Sequence, residues 1–196
     1  MGYSLAWVGV RGVSYDDAIA RLSLKQTGEI VKYAESPVCA RPLPDGWTLV
    51  VARGCDHQII EADGLAKLSA GGEAVACSVE EHVMFSSCEL WVGGTRQWRV
   101  EHDAQKSIDD LAASGTLPDD FGPVSAEIAA QQEVEGGEEA DVDLYFEVPL
   151  ILAKSRVGFK HDEVNGAAED EQYEVLLGSP ASRAAVPGRP WWRFWR

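Results

Sequence analysis

The segment from Tyr3 to Val10 constrains the fold most, because it is apolar on both faces of an alternating pattern. Trp7 falls on one face with Tyr3, and Val8 falls on the other with Val10. A strand with this pattern belongs inside a sheet that is covered on both sides. The run at 47–52 has the same two-faced character. The sequence therefore predicts two interior strands.

A second strong pattern surrounds Gly93 and Gly94, which are flanked by two long apolar runs between positions 79 and 100. Paired glycines between such runs are typical of a tight turn, so this region predicts a β-hairpin. Trp91 stands two residues before this glycine pair and Trp98 four residues after it. We expect these two indoles to stack across the strands on one face.

Helix signals occur at five places. Ser14 is a residue type that accepts a hydrogen bond from the first turn of a helix, and Ala18, Ile19 and Leu22 follow at helical spacing. Glycines or prolines mark the ends of several other apolar stretches. Helices are predicted after Ser14 and over 62–70, 107–113, 123–134 and 149–157, the last ending at Gly158 with an apolar contact from Phe159.

Further strands are predicted over 27–33, 74–79, 141–147 and 173–177, and a loop is predicted around Pro37, Pro42, Pro44 and Asp45-Gly46. The elements do not alternate regularly, as they do in a parallel doubly wound sheet. The predicted class is α+β, with a mixed, mostly antiparallel sheet, a long hairpin near 79–100 and several short helices. Residues 1–177 are predicted to form one domain and residues 178–196 a flexible tail.

The charge is strongly negative and unevenly distributed. The chain has 17 basic and 32 acidic residues, for a net charge of −15. Residues 101–178 carry 20 acids and 4 bases, whereas residues 179–196 carry four arginines and no acid. Because an acidic body repels a polyanion, nucleic-acid binding is disfavoured. We expect a cytoplasmic protein with reduced cysteines, since neither a secretory signal nor an apolar stretch of spanning length is seen.

The corner Cys55-Asp56-His57 follows a predicted interior strand and is the strongest candidate for an active site. A cysteine nucleophile needs a base and an orienting carboxylate, and His102 or His161 are further candidates for the base. This pattern indicates an uncommon enzyme, such as a hydrolase. The alternative is a polar loop with a buried cysteine. Common nucleotide, hydrolase and metalloprotease motifs are missing, so no cofactor or metal is expected.

The alternation at 141–147 places Asp141, Asp143 and Glu147 on one strand face. Three carboxylates at this spacing can bind a hard cation or a basic partner, and two of them can also carry out acid-base chemistry. The alternative is an exposed acidic face that suppresses edge pairing.

The C-terminal segment, residues 188–196, combines arginines with the aromatic residues of a docking element, and its predicted binding residues are Trp191, Trp192, Arg193, Phe194 and Trp195. Large aromatic side chains are costly to leave in water. The segment can fold back on the acidic half, enter a groove of a partner or lie at a membrane surface, which we favour least. A frayed end is the remaining alternative. Our leading hypothesis is an accessory, adaptor or immunity-type protein that binds another protein with a basic surface.

Overall fold

The computed structural model describes residues 2–32, 34, 36–163 and 172–178. Its strands form one antiparallel sheet in the order β2-β9-β3-β4-β1-β5-β6-β7-β8. The predicted α+β class is confirmed. The strands are β1 (Ser4–Arg11), β2 (Leu24–Val31), β3 (Val38–Pro42), β4 (Thr48–Arg53), β5 (Glu73–Glu80), β6 (Phe85–Val92), β7 (Thr95–Asp103), β8 (Ala112–Gly115) and β9 (Tyr173–Gly178).

Four helices within the described residues cover the two faces of this sheet. They are α1 (Tyr15–Arg21), α2 (Ala62–Leu68), α3 (Phe121–Glu135) and α4 (Glu147–Val157). The strand β1 lies at the centre of the sheet, where Val8 packs toward α1 and α2 and Trp7 packs toward α3 and α4. Both side chains are buried. The prediction of an interior strand covered on both sides is confirmed.

The first layer of helices is fixed mainly by apolar contacts. The amide of Asp17 donates to the Ser14 hydroxyl at 3.2 Å, which caps α1 as predicted. Ile19 of α1 and Leu65 and Leu68 of α2 are buried against the sheet. Burial of these side chains holds both short helices on this face, since helices of this length are marginal alone.

The second layer contains α3 and α4 on the opposite face. Ile128 of α3 and Leu152 of α4 are buried there. The helix α4 ends at Gly158, which takes the left-handed conformation with φ of 73°, and Phe159 then packs edge-on against Trp7 with ring centroids 5.2 Å apart. The predicted end of this helix is confirmed. Its start lies two residues before Pro149, at Glu147.

The predicted loop around residues 37–46 is wrong for its first half. The strand β3 occupies Val38–Pro42 and is buried over four of its five residues. Proline is tolerated at the end of a strand, and Pro42 is the last residue of β3. The chain then reverses at Asp45 and Gly46, both of which have positive φ.

The predicted helix over 107–113 is also wrong, because this region forms turns followed by β8. The Ser107 hydroxyl donates to the Asp109 carboxylate at 2.6 Å, and the Asp110 amide donates to the Ser107 carbonyl at 3.1 Å. These local bonds close one turn and leave no helical continuation. Serine and aspartate side chains often favour turns over helices in this way.

The hairpin between β6 and β7 is confirmed, but the predicted stacking of its two indoles is wrong. Next to the turn, Trp91 pairs with Arg96, whereas the following pair is Leu90 with Trp98, so Gln97 is an extra residue. A one-residue bulge turns all later side chains to the other face. Trp91 consequently packs in the first layer and Trp98 in the second.

Candidate functional site

All four histidines lie at one end of the sheet, which we call the histidine end, but they are spread along it, with four strand spacings between β4 and β7. In an antiparallel sheet the starts of β1 and β6 meet the ends of β4, β5 and β7. His57 follows β4, His82 follows β5 and His102 lies near the end of β7. His161 joins them through a contact with Glu81 at 3.1 Å. This grouping is a product of strand topology, which the local sequence does not show.

The corner at Cys55 and His57 is a compact turn at this end. His57 Nδ1 accepts a hydrogen bond from the amide of Ile59 at 3.3 Å and caps the short 3-10 turn at Gln58–Ile60. Burial lowers the pKa of His57. Burial and the nearby Glu80 carboxylate raise the pKa of the Cys55 thiol. Both side chains therefore favour their neutral forms.

A thiolate-imidazolium pair needs the opposite shifts, a lowered thiol pKa and a charged imidazole. The third member of the corner, Asp56, follows Cys55 in the same turn. His57 Nδ1 accepts its hydrogen bond from the backbone of its own turn, and the Cys55 carbonyl accepts from Ser78 Oγ at 2.6 Å. These contacts fit a structural corner better than an activated nucleophile. Catalysis by these residues stays a prediction.

His102 is fully buried and forms an ion pair with Asp143, whose side chain is 9% exposed. Its Nδ1 donates to the carbonyl of Asp110 at 2.7 Å, and its Nε2 donates to Asp143 Oδ2 at 2.8 Å. Because a carbonyl only accepts and an ionised carboxylate only accepts, both ring nitrogens carry protons. Burial by itself lowers the pKa of His102, but the hydrogen bond and charge of Asp143 outweigh it and the net shift is upward. The ring of Tyr145 stacks over the imidazole.

The predicted strand over 141–147 is wrong, and its three carboxylates do not share a face. Asp143 points at His102, Glu147 contacts Lys160 Nζ at 3.0 Å, and Asp141 is exposed. A cation site built from these three carboxylates therefore has no support in the geometry.

The side chain of Gln132 explains why this segment is a loop. Its Nε2 donates to the carbonyls of Gly137 at 3.1 Å and Val142 at 2.9 Å, and its Oε1 accepts from the amide of Leu144 at 2.8 Å. Asp143 Oδ1 also accepts from the amide of Phe146 at 3.3 Å. These bonds occupy backbone groups that a strand would need for its ladder.

His161 is the most enclosed candidate after His102. Its Nε2 contacts Glu81 Oε1 at 3.1 Å, and the ring of Tyr3 meets the imidazole edge-on with centroids 5.2 Å apart. Its buried Nδ1 has no hydrogen-bond partner among the described residues. The neighbouring Lys160 is held between Glu147 and Asp162, the latter at 2.8 Å. These contacts tie the chain after α4 to the start of β1 and to the end of β5.

A different surface, which is not among the sites predicted from the sequence, lies on the solvent side of α3. We call it the α3 outer face and define it by four exposed apolar or small residues spaced three or four apart: Pro123, Ala126, Ala130 and Val134. Val134 is 84% exposed. The opposite side of the helix is buried through Ile128 and Gln132. The signal in the sequence is a second apolar stripe, opposite the one at Ile128.

The α3 outer face has an acidic surround. The exposed carboxylates beside and beyond it are Glu127, Glu133, Glu135, Glu138, Glu139 and Asp141. The sequence from 107 to 153 contains no basic residue. Val142, which is 44% exposed, follows in the same region. The surface therefore combines apolar side chains with a concentrated negative charge.

At the opposite end of the sheet a cleft of about 510 Å³ is lined by four glycines together with Arg11, Glu73 and Val92. Arg11 Nε donates to Glu73 Oε1 at 2.8 Å, and its guanidinium lies over the ring of Trp47. The charge of Arg11 is thus already paired within the protein. This cleft shows no free charged group for a ligand among its described lining residues.

The predicted docking residues of the tail, Trp191, Trp192, Arg193, Phe194 and Trp195, lie outside the described residues. Over the described part of the chain, no helix has the length and apolar character needed to cross a membrane. The same residues include no group of three or more metal-ligating side chains arranged around one point. Comparisons with protein-family models, curated proteins and solved structures give no match.

Proposed function

We propose that this chain is a protein-binding protein of the accessory, adaptor or immunity-type kind. Its α3 outer face and the carboxylates around it bind a partner with a basic surface. The observation that carries the proposal is Val134, a large apolar side chain that is 84% exposed among exposed carboxylates. Val134 continues the apolar stripe of Pro123, Ala126 and Ala130, and a contiguous exposed apolar surface with a polar rim is typical of binding sites.

The two components of this surface contribute differently to binding. The carboxylates attract a basic partner from a distance and raise its association rate, an effect that salt screens. Val134 and the small residues Ala126 and Ala130 supply apolar area that is buried on contact. Charge therefore governs the encounter, and apolar contact prolongs the complex.

The alternative of an uncommon hydrolase built on Cys55, Asp56 and His57 has weaker support. Burial raises the pKa of the Cys55 thiol and lowers the pKa of the His57 imidazole, so it disfavours both charged forms, and the His57 ring caps its own turn. A protein-binding function requires no such activated group.

A defined basic probe tests the proposal with the full chain. A fluorescent synthetic peptide of alternating arginine and leucine is titrated at low and moderate salt. We expect affinity to fall with salt, and to fall about tenfold at low salt in the variant E133K/E138K. The matched control E29K/D63K changes the net charge equally at exposed sites elsewhere. Equal loss in both variants, or salt-independent binding, would contradict the proposal.

A further inference from the structure

The α3 outer face is an unpartnered helix surface within the described part of the chain. Ala126 and Ala130 are small, so they leave shallow space beside the exposed side chain of Val134. Glu127 and Glu133 flank this space. Large aromatic side chains with attached positive charge fit such a surface, because rings bury large areas and the charges meet carboxylates.

The chain itself contains a segment of that chemistry. Residues 188–196 hold four aromatic residues and three arginines and no acid. No other stretch of the sequence combines these features at this density. The positive charge of the segment is therefore complementary to the negative charge around the α3 outer face. Its large aromatic side chains also fit beside the small residues Ala126 and Ala130.

The position where the described chain stops allows this contact. The strand β9 ends at Gly178, which pairs with Leu24 at the histidine end of the sheet. The C-terminal half of α3 is anchored at the same end, since Gln132 binds the loop that carries Asp143 to His102.

The lateral distance is also within reach. Six strand spacings separate β9 from β7, which is about 29 Å. The ten residues from 179 to 188 span up to about 33 Å when extended. Laterally, the chain after Gly178 can therefore extend as far as β7, the strand whose His102 pairs with Asp143 in the loop bound by α3.

We infer that the α3 outer face is occupied, in the free monomer, by the C-terminal segment 188–196 of the same chain. The inference rests on the proposed function, because the segment and a basic partner use one surface. The segment then competes with the partner, and only a partner that binds more strongly exposes the face. This intramolecular contact lowers the apparent affinity of the chain for its partner.

The distribution of tryptophan provides a direct test. Trp7, Trp47, Trp91 and Trp98 are all buried in the described structure. The other three of the seven tryptophans are Trp191, Trp192 and Trp195, which belong to the segment. Quenching of the native full chain by acrylamide therefore reports mainly on the segment.

The variant E133K/V134D alters the α3 outer face, and E29K/I30D is its matched control. Both replace an exposed glutamate and the apolar residue that follows it, and Ile30 is 55% exposed on the distant strand β2. We expect acrylamide to quench the wild-type chain and the control only weakly at low salt. Light scattering should show that both are monomers under these conditions. In E133K/V134D the quenching constant should rise roughly twofold, as three covered indoles become accessible.

Three results would overturn the inference. They are strong quenching in the wild type, equal quenching in wild type and E133K/V134D, and protection that appears only with dimer formation or with added phosphatidylcholine vesicles. The arginine-leucine peptide separates this inference from the proposed function. If the chain with Trp191, Trp192, Phe194 and Trp195 replaced by alanine binds that peptide no better than wild type, the segment does not compete. Sensitivity of the same binding to E133K/E138K would still support the proposed function.

Discussion

The two helical layers differ in what holds them on the sheet. In the first layer, Ile19, Leu65 and Leu68 are buried among apolar side chains, and Ser14 caps α1. The polar link between the two helices is made by the exposed Arg21, which donates to the carbonyls of Lys67, Leu68 and Ala70 at the end of α2. In the second layer, apolar packing is supplemented by two polar side chains. Gln132 binds the backbone between α3 and α4, and His102 pairs with the carboxylate of Asp143 in the same segment. Apolar packing tolerates small shifts, whereas each of these polar bonds specifies one loop conformation. The surface proposed for binding belongs to the second layer.

The largest expected effect of breaking a polar contact is at His102. Replacement His102→Ala leaves the Asp143 carboxylate buried without its cation and should lower the free energy of unfolding by about 3–5 kcal/mol. Urea denaturation of the two proteins measures the difference. The control His82→Ala removes an exposed histidine from the same end of the sheet and should cost much less. Equal losses of unfolding free energy in the two variants would mean that the pair of His102 and Asp143 does not stabilise the second layer.

The next effect concerns Gln132. Replacement Gln132→Ala leaves the carbonyl of Val142 and the amide of Leu144 without their partner, at a cost of about 1–3 kcal/mol. Hydrogen exchange should increase over residues 137–146, with exchange in α1 unchanged. Gln131 is the matched control, since its exposed amide reaches only Glu127. Unchanged exchange in this loop would show that Gln132 does not determine its conformation.

A smaller effect is expected in the first layer at Ser14. Replacement Ser14→Ala removes the acceptor for the Asp17 amide and should cost about 1 kcal/mol, the usual value for a helix cap. Thermal unfolding with a two-state fit measures this change. Ser14→Asp retains an acceptor and should restore most of the loss. If Ser14→Ala lowers the free energy of unfolding as much as His102→Ala does, the two layers do not differ in their dependence on polar contacts.

The smallest effect is a pH dependence with opposite signs at two histidines. The pKa of His102 is raised, so its contribution to stability is complete below the ordinary value of about 6.5 and is lost as pH rises through the pKa of the folded state. The pKa of His57 is lowered, so its contribution is present above the ordinary value and is lost as pH falls through its folded pKa. Imidazole NMR titration of the native chain should give the higher midpoint for His102. The reverse order would contradict the imidazolium assignment.

Sequence patterns predict the first layer better than the second. The alternation at Tyr3 to Val10 and the cap at Ser14 depend on neighbouring residues, so the sequence alone suffices for both. The alternation at 141–147 has the same appearance as a strand, but the side chain of Gln132 satisfies its backbone. The bulge at Gln97 likewise reverses the faces expected for Trp98.

The candidate site was harder to predict than the fold. The Cys55 corner is correctly placed at a strand end, but the pairing of His102 with Asp143 joins residues that are far apart in the sequence. No local spacing encodes such a contact. The outer face of α3 is visible as a second apolar stripe, yet its exposure depends on which side of the helix packs against α4.

The position of β9 has a consequence for how the protein folds. This strand lies between β2 and β3, and the pairing of Leu24 with Gly178 joins segments from opposite ends of the described sequence. Contacts between residues so distant in sequence slow folding, because a long loop must close before they form. During synthesis, β2 and β3 lack their shared neighbour until residues 173–178 have been made. A growing chain thus exposes two unpaired strand edges, which makes it prone to association with other chains until its last described strand is inserted.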